Sequence, residues 1–211
     1  MYKEETSEIL SVLSKKYLVT GAAGFIASQV CSQLLDQSEQ VVGLDNLNDY
    51  YDVRLKEWRL ELLRNHPNAE NFYFVKLDIE NQEDLKVLFR DQGPFDAVIN
   101  LAARAGVRYS MENPHVCLST NTEGTLNLLE CMHDNGCKKF VLASTSSLYA
   151  GLKMPFTENL AVNEPFSPYA ASKKAGELMA YSYHKLYQID VSVVRYFTVF
   201  GPAGRPDMSI F

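Results

Sequence analysis

Short apolar runs rich in β-branched and aromatic residues alternate along the chain with longer stretches of helical periodicity. The runs are KKYLVT ending at Thr20, QVVGLD ending at Asp45, NFYFVKLD ending at Asp78, FDAVINLAA ending at Ala103, KKFVLAS ending at Ser144 and DVSVVRYF ending at Phe197. Between them the pattern predicts helices over residues 24–38, 52–65, 81–91, 114–135 and 168–188. Asn113-Pro114 opens the fourth of these and Asn135-Gly136 closes it, the usual placement of proline and glycine at helix ends. Several runs are apolar nearly throughout, as strands are when helices cover both faces of a sheet. This alternation predicts an α/β fold with a doubly wound, Rossmann-like parallel sheet. No internal repeat, low-complexity stretch or flexible linker interrupts it, and residues 1–15 read as a short leader.

Composition narrows the functions available. The chain has 211 residues, with 20 Lys and Arg against 26 Asp and Glu, so its formal net charge is −6. An acidic chain with no basic cluster is repelled by nucleic acid and by anionic membranes, which excludes both as partners. No apolar run approaches the roughly 18 residues of a membrane span. The first ten residues, MYKEETSEIL, carry acids where a signal peptide has basic and apolar regions, so a cytoplasmic protein is expected. Cys31, Cys117, Cys131 and Cys137 form no CxxC pair and read as small buried hydrophobes. His66, His115, His133 and His184 form no HExxH or HxxxH pair, so no metal site is expected.

The first predicted strand runs directly into Thr20-Gly21-Ala22-Ala23-Gly24-Phe25-Ile26-Ala27 and then a helix. Glycines here allow a tight turn and let a diphosphate approach the amides at the helix N-terminus, where the helix dipole favours an anion. Asp45 ends the second strand, placed to accept from the adenosine ribose hydroxyls and, with no arginine directly after it, to disfavour a 2′-phosphate. The pair predicts a dinucleotide site that prefers NAD to NADP. Tyrosine and lysine four residues apart share one helix face, and three such pairs occur: Tyr149/Lys153, Tyr169/Lys173 and Tyr181/Lys185. The first lies in a segment with Gly151 and Pro155; the third lies about 18 Å further along the same helix than the second. Tyr169/Lys173, just after Pro168, is the pair expected near the C-terminal edge of the sheet, where ligands of such folds bind. The hydroxyl cluster Ser144-Thr145-Ser146-Ser147 ends the fifth strand at that same edge.

Five segments carry a resemblance: GAAGFI from Gly21, DNLNDYYDVRLKEWRL from Asp45, NLAARAGVRYS from Asn100, SPYAASKKAGE from Ser167 and RYFTVFGPAGRPDM from Arg195. Together they resemble the sugar-nucleotide epimerase/dehydratase family of the extended short-chain dehydrogenases/reductases, and within it the UDP-glucuronate 4-epimerases. The resemblance implies NAD as cofactor, a UDP-sugar as substrate and 4-epimerisation through a 4-keto sugar. Carried over by position, Thr145, Tyr169 and Lys173 are the catalytic residues. Gly21, Ala23, Gly24, Phe25, Ile26, Asp45, Asn46, Asp78, Ile79, Leu101, Ala102, Ala103 and Asn121, with Tyr169 and Lys173, fall on cofactor-binding positions. Ser146, Ser147, Thr198 and Arg205 are expected to face the substrate. The chain departs from the family pattern at Ala27, Arg104, Ala150 and Phe200.

The family's 4,6-dehydratases carry Asp-Glu directly after the threonine, and its decarboxylases carry glutamate two residues on. Ser146 and Ser147 stand there instead, which disfavours both reactions; a UDP-glucose 4-epimerase, or another nucleotide-sugar epimerase, and a non-catalytic NAD-binding module remain as alternatives. For Tyr169 to act as a base at pH 7, its pKa must fall by about three units, or about 4 kcal/mol. A cation at about 4 Å supplies that much at an effective dielectric of 20, and Lys173 with the positively charged nicotinamide is expected to do so. The resemblance also implies a homodimer packed through the 114–135 and 168–188 helices. It divides the chain into a leader over 1–15, an NAD-binding domain with the catalytic residues over 16–200, and the start of a truncated substrate-binding segment over 201–211. Relatives continue into a smaller domain over the sugar nucleotide, so this length is expected to turn substrate over poorly.

Overall fold

A computed structural model describes residues 14–206. All but the last two residues of the expected leader, and residues 207–211, therefore lie outside the described residues. Six strands form one sheet: β1 (Lys16–Thr20), β2 (Gln40–Asp45), β3 (Phe72–Lys76), β4 (Ala97–Asn100), β5 (Lys139–Thr145) and β6 (Asp190–Tyr196). Their order is β3-β2-β1-β4-β5-β6 and every pairing is parallel. The chain reverses its direction of travel across the sheet between β1 and β4, and this switch opens a crevice at the strands' C-terminal ends.

Alternation within the strands builds the two cores. Leu18, Val42, Leu44 and Val98 face one side of the sheet, with Phe140 and Leu142 of β5. Against them pack Leu85 and Phe89 of α3 (Gln82–Gln92), Leu128, Leu129 and Met132 of α6 (Gly124–Asp134), and Ala180 of α7 (Pro168–Tyr187). Val19 and Val41, one residue out of step, face the other side with Cys31 and Leu35 of α1 (Phe25–Asp36) and Leu60 and Leu63 of α2 (Val53–Arg64). All four cysteines are buried and unpaired.

The structure departs from the sequence pattern in three places. A short helix, α4 (Val107–Glu112), follows β4 where none is expected. The expected 114–135 helix is a run of α5 (Pro114–Leu118), a π-helical turn at Ser119–Glu123, and α6. The third is at β6, an edge strand, which nothing in the sequence pattern marks as one. Val193 and Val194 keep 40% and 37% of their surface exposed, since only β5 pairs with it. Among the described residues, no helix is long and apolar enough to cross a membrane.

Candidate active site

The glycine turn is shaped by sterics. Gly21 sits at φ +72°, and a Cβ there would lie 3.0 Å from the backbone N and Cα of Ala102. A Cβ on Gly24 would lie 2.8 Å from the Gly21 carbonyl oxygen. Thr20 holds the opposing segment in place: its hydroxyl donates to Asn100 Oδ1 (2.7 Å) and accepts from the amides of Leu101 (3.1 Å) and Ala102 (3.0 Å). The helix that follows, α1, has no side-chain cap on its first turn, so its amides are left for an anion.

A cavity of about 390 Å³ opens above this turn. Its wall takes residues from the ends of five strands: Gly21 and Gly24 after β1, Asp45 and Asn46 at β2, Leu101–Ala103 after β4, Ala143–Thr145 at β5 and Tyr196 at β6. Phe25, Ile26, Asp78, Ile79, Ser146, Ser147, Tyr169, Lys173, Thr198 and Arg205 also line it, with Lys56 and Arg104 among others. Two expected site residues stand behind the wall instead. Ala23 is fully buried and its amide donates to Asp45 Oδ2 at 3.2 Å. Asn121 lies in the π turn, where its side chain accepts from the Arg104 amide (2.8 Å) and donates to the Arg104 carbonyl (3.1 Å) and to Ser172 Oγ (2.9 Å). Ser172 in turn donates to the Tyr169 carbonyl at 2.8 Å. The π turn thus joins the loop after β4 to the first turn of α7, and π turns recur at functional sites.

Ser167 caps α7, its hydroxyl accepting from the Ala170 amide at 3.1 Å. This fixes Tyr169 and Lys173 one turn apart on the cavity side. The Thr145 hydroxyl faces the Tyr169 phenol and pulls its pKa down, and it accepts from the Ser147 amide at 3.1 Å. Lys173 is buried, and burial lowers its pKa to about 8 against the opposing pull of Glu177. It stays mostly protonated at pH 7. The expected drop at Tyr169 is not found in the protein alone: burial pushes its phenol up, opposed by the Thr145 hydrogen bond and the Arg205 charge. The other two tyrosine–lysine pairs lie elsewhere. Tyr149 is buried, accepts from Arg195 Nη1 at 3.1 Å and stacks on Phe156. Tyr181 is exposed, with the Lys185 ammonium over its ring.

Two features of the site escape the motif reading. Lys56, eleven residues after Asp45, is buried with its ammonium 3.9 Å from Asp45 Oδ1 and 5.1 Å from the Tyr51 ring centroid. The Asp45 carboxylate therefore faces a cation, which weakens the repulsion of a 2′-phosphate expected from its charge alone. Glu177 is the second. It takes Arg195 Nε and Nη2 on its two oxygens, each at 2.9 Å, and the Ser144 hydroxyl at 2.6 Å. One carboxylate thereby ties α7, β5 and β6 together beside Lys173.

Gly21, Gly24, the uncapped α1 terminus and the cavity at the sheet's switch point define a dinucleotide-binding α/β protein. Residues 17–211 match the model of the NAD dependent epimerase/dehydratase family, and the chain belongs to that family. It is 60% identical over 195 residues to a UDP-glucuronate 4-epimerase of Thermodesulfobacterium geofontis, covering 92% of this chain and 59% of that protein. The crystal structure of UDP-glucuronic acid 4-epimerase from Bacillus cereus with UDP-glucuronic acid and NAD superposes with a TM-score of 0.83. It is 38% identical, over 92% of this chain and 60% of that one. A dTDP-glucose 4,6-dehydratase of Streptomyces venezuelae with NAD and TYD bound gives 0.80 at 33% identity, over 91% and 58%. The chain thus spans about three-fifths of the length of each of these three relatives.

Proposed function

We propose that the chain binds NAD in this cavity and serves as an NAD-dependent sugar-nucleotide 4-epimerase acting on UDP-glucuronate. The observation that carries the reading is the convergence of Thr145, Tyr169 and Lys173 on a cavity walled by the glycine turn. The residues fit the cofactor: Gly21 and Gly24 leave open the space that Cβ atoms would fill, and Asp45 reaches the wall at the end of β2. NAD, when bound, supplies a hydride acceptor that becomes a donor, and a positive charge beside Tyr169. Tyr169 takes the proton of the sugar 4-hydroxyl and returns it to the same oxygen once C4 has the opposite configuration. Thr145 holds the same oxygen through its own hydroxyl. Lys173 steadies the tyrosinate by its charge. Ser146, Ser147 and Thr198 offer neutral donors to the uronate carboxylate, gripping it without protonating it. Arg205, 4.9 Å from the Tyr50 ring centroid, adds a cation at the same mouth.

The domain division fits this reading, with the catalytic residues inside 16–200 and the start of a substrate-facing segment from 201. We place the protein in the cytoplasm, supported by four buried, unpaired cysteines. We place it in a homodimer through α5, α6 and α7, supported by exposed Leu118, Leu178, Tyr181 and Leu186; light scattering at micromolar concentration reads a dimer if so and a monomer if not. The activity is tested by joining the chain to the C-terminal portion of a relative, incubating it with NAD and UDP-glucuronate and resolving the uronates by chromatography. Appearance of UDP-galacturonate, lost in Tyr169→Phe and Thr145→Ala while NAD stays bound, supports the reading. Equal product from Tyr169→Phe refutes it.

A further inference from the structure

Arg104 follows directly on the segment that walls the glycine turn, two residues past Ala102, whose backbone abuts Gly21. Its main chain is already fixed on both sides by Asn121, so the side chain is not needed to hold the loop. That side chain is a cation on the cavity wall. Its Nε is shut off from solvent with no hydrogen-bond partner, and among the described residues no acid or carbonyl meets the guanidinium. Arg59 also has an unpartnered Nε, but its Nη atoms donate to the Ala23 carbonyl (3.1 Å), Tyr51 Oη (2.7 Å) and the Ala203 carbonyl (2.7 Å). Arg104 is half-buried, and leaving one of its guanidinium N–H groups shut off from water and unpaired costs stability. Here like charges add to the cost: besides burial, Arg104, Arg59 and Arg205 all push the Lys56 ammonium down, against Asp45. Such an arrangement persists where a ligand brings negative charge.

We propose that Arg104 is an additional anchor for the diphosphate of the cofactor, closing on it from the β4 side while the α1 amides meet it from below. The proposal rests on the NAD reading above. The location selects this anion over the sugar uronate. Arg104 stands on the loop after β4, and the next two residues of that loop meet the β2 side of the crevice. The Ala105 carbonyl accepts from Arg205 Nη2 at 3.3 Å, and a Cβ on Gly106 would lie 3.0 Å from the hydroxyl of Tyr50, in the segment after β2. Thr145, by contrast, ends β5, on the other side of β4. A guanidinium suits a diphosphate because its planar fork donates two parallel bonds.

The test is calorimetric titration of the intact chain and of Arg104→Gln and Arg104→Lys with NAD, ADP and UDP, at two salt concentrations, with melting curves of the unliganded proteins. Arg104→Gln is expected to weaken NAD and ADP alike by about ten- to a hundredfold, as loss of a hydrogen bond between charged groups does. It should flatten their salt dependence, leave UDP unchanged and melt no lower than the parent. Arg104→Lys should recover part of the loss. Unchanged NAD and ADP affinity in Arg104→Gln overturns the proposal, as does a loss confined to UDP, which would assign the cation to the substrate. A parent chain that binds neither NAD nor ADP overturns both this inference and the NAD reading.

Discussion

Replacing Glu177 with glutamine should destabilise the protein by about 3 kcal/mol while leaving its backbone unchanged. The carboxylate is 8% exposed on its side chain, and Arg195 is 16% exposed. Two contacts of 2.9 Å join them. At that distance the gross attraction is about 6 kcal/mol at an effective dielectric of 20, and much of it is offset by the desolvation of both ions. Removing one partner of such a pair strands the other, which typically costs about 3–5 kcal/mol. Glutamine keeps one oxygen for Arg195 Nε or Ser144 Oγ, so the lower end applies. The assay is urea unfolding of the parent, Glu177→Gln, Arg195→Met and the double variant Glu177→Leu/Arg195→Met. At about 2–4 °C per kcal/mol for a chain of this size, the melting point should fall by about 6–12 °C. The double variant should recover part of that loss, because it strands no guanidinium, while Lys173 and Lys174 still lose the Glu177 charge. If Glu177→Gln lies within about 0.5 kcal/mol of the parent, the clamp does not hold α7, β5 and β6 together as argued.

The depressed Lys173 pKa makes a pH prediction. Its folded value is about 8 against 10.5 unfolded, so between these values the unfolded chain holds more protons and stability rises with pH. Measured against Lys173→Met, the parent should gain on the order of 3 kcal/mol from pH 8 to above 10; a constant difference across that range contradicts the assignment. Gly21→Ala must place a side chain at φ +72° against the Ala102 backbone, which should cost about 1–2 kcal/mol in the backbone alone. It should also weaken NAD by pushing back the segment after β4, and unaltered urea midpoint and NAD affinity would show that the turn has slack.

The sheet was legible because its signals are local. Period-two alternation in Leu18/Val19 and Val41/Val42 assigns each strand two faces, and proline and glycine mark the helix ends. The glycine turn and the α7 tyrosine–lysine pair were legible for the same reason, each lying within one turn of chain. What stayed hidden depends on distant partners. Glu177 meets residues 33 and 18 positions away, and Lys56 meets Asp45 only because α2 folds back over β2. The π turn at Ser119–Glu123 leaves the flanking apolar stripe readable as one helix, so its extra residue goes unseen. α4 is six residues long, too short for a period to show. The exposure of Val193 and Val194 also stays hidden, because sequence cannot say which strand is an edge.

The most direct test of a hydride that leaves the sugar and returns is the fate of deuterium placed at C4 of UDP-glucuronate. With the chain joined to the C-terminal portion of a relative, NAD supplied and the reaction run in ordinary water, the UDP-galacturonate formed should keep the deuterium at C4, and Tyr169→Phe should form none. Product that has lost the deuterium to solvent would mean that C4 is inverted by proton exchange, and would contradict the assignment of this site.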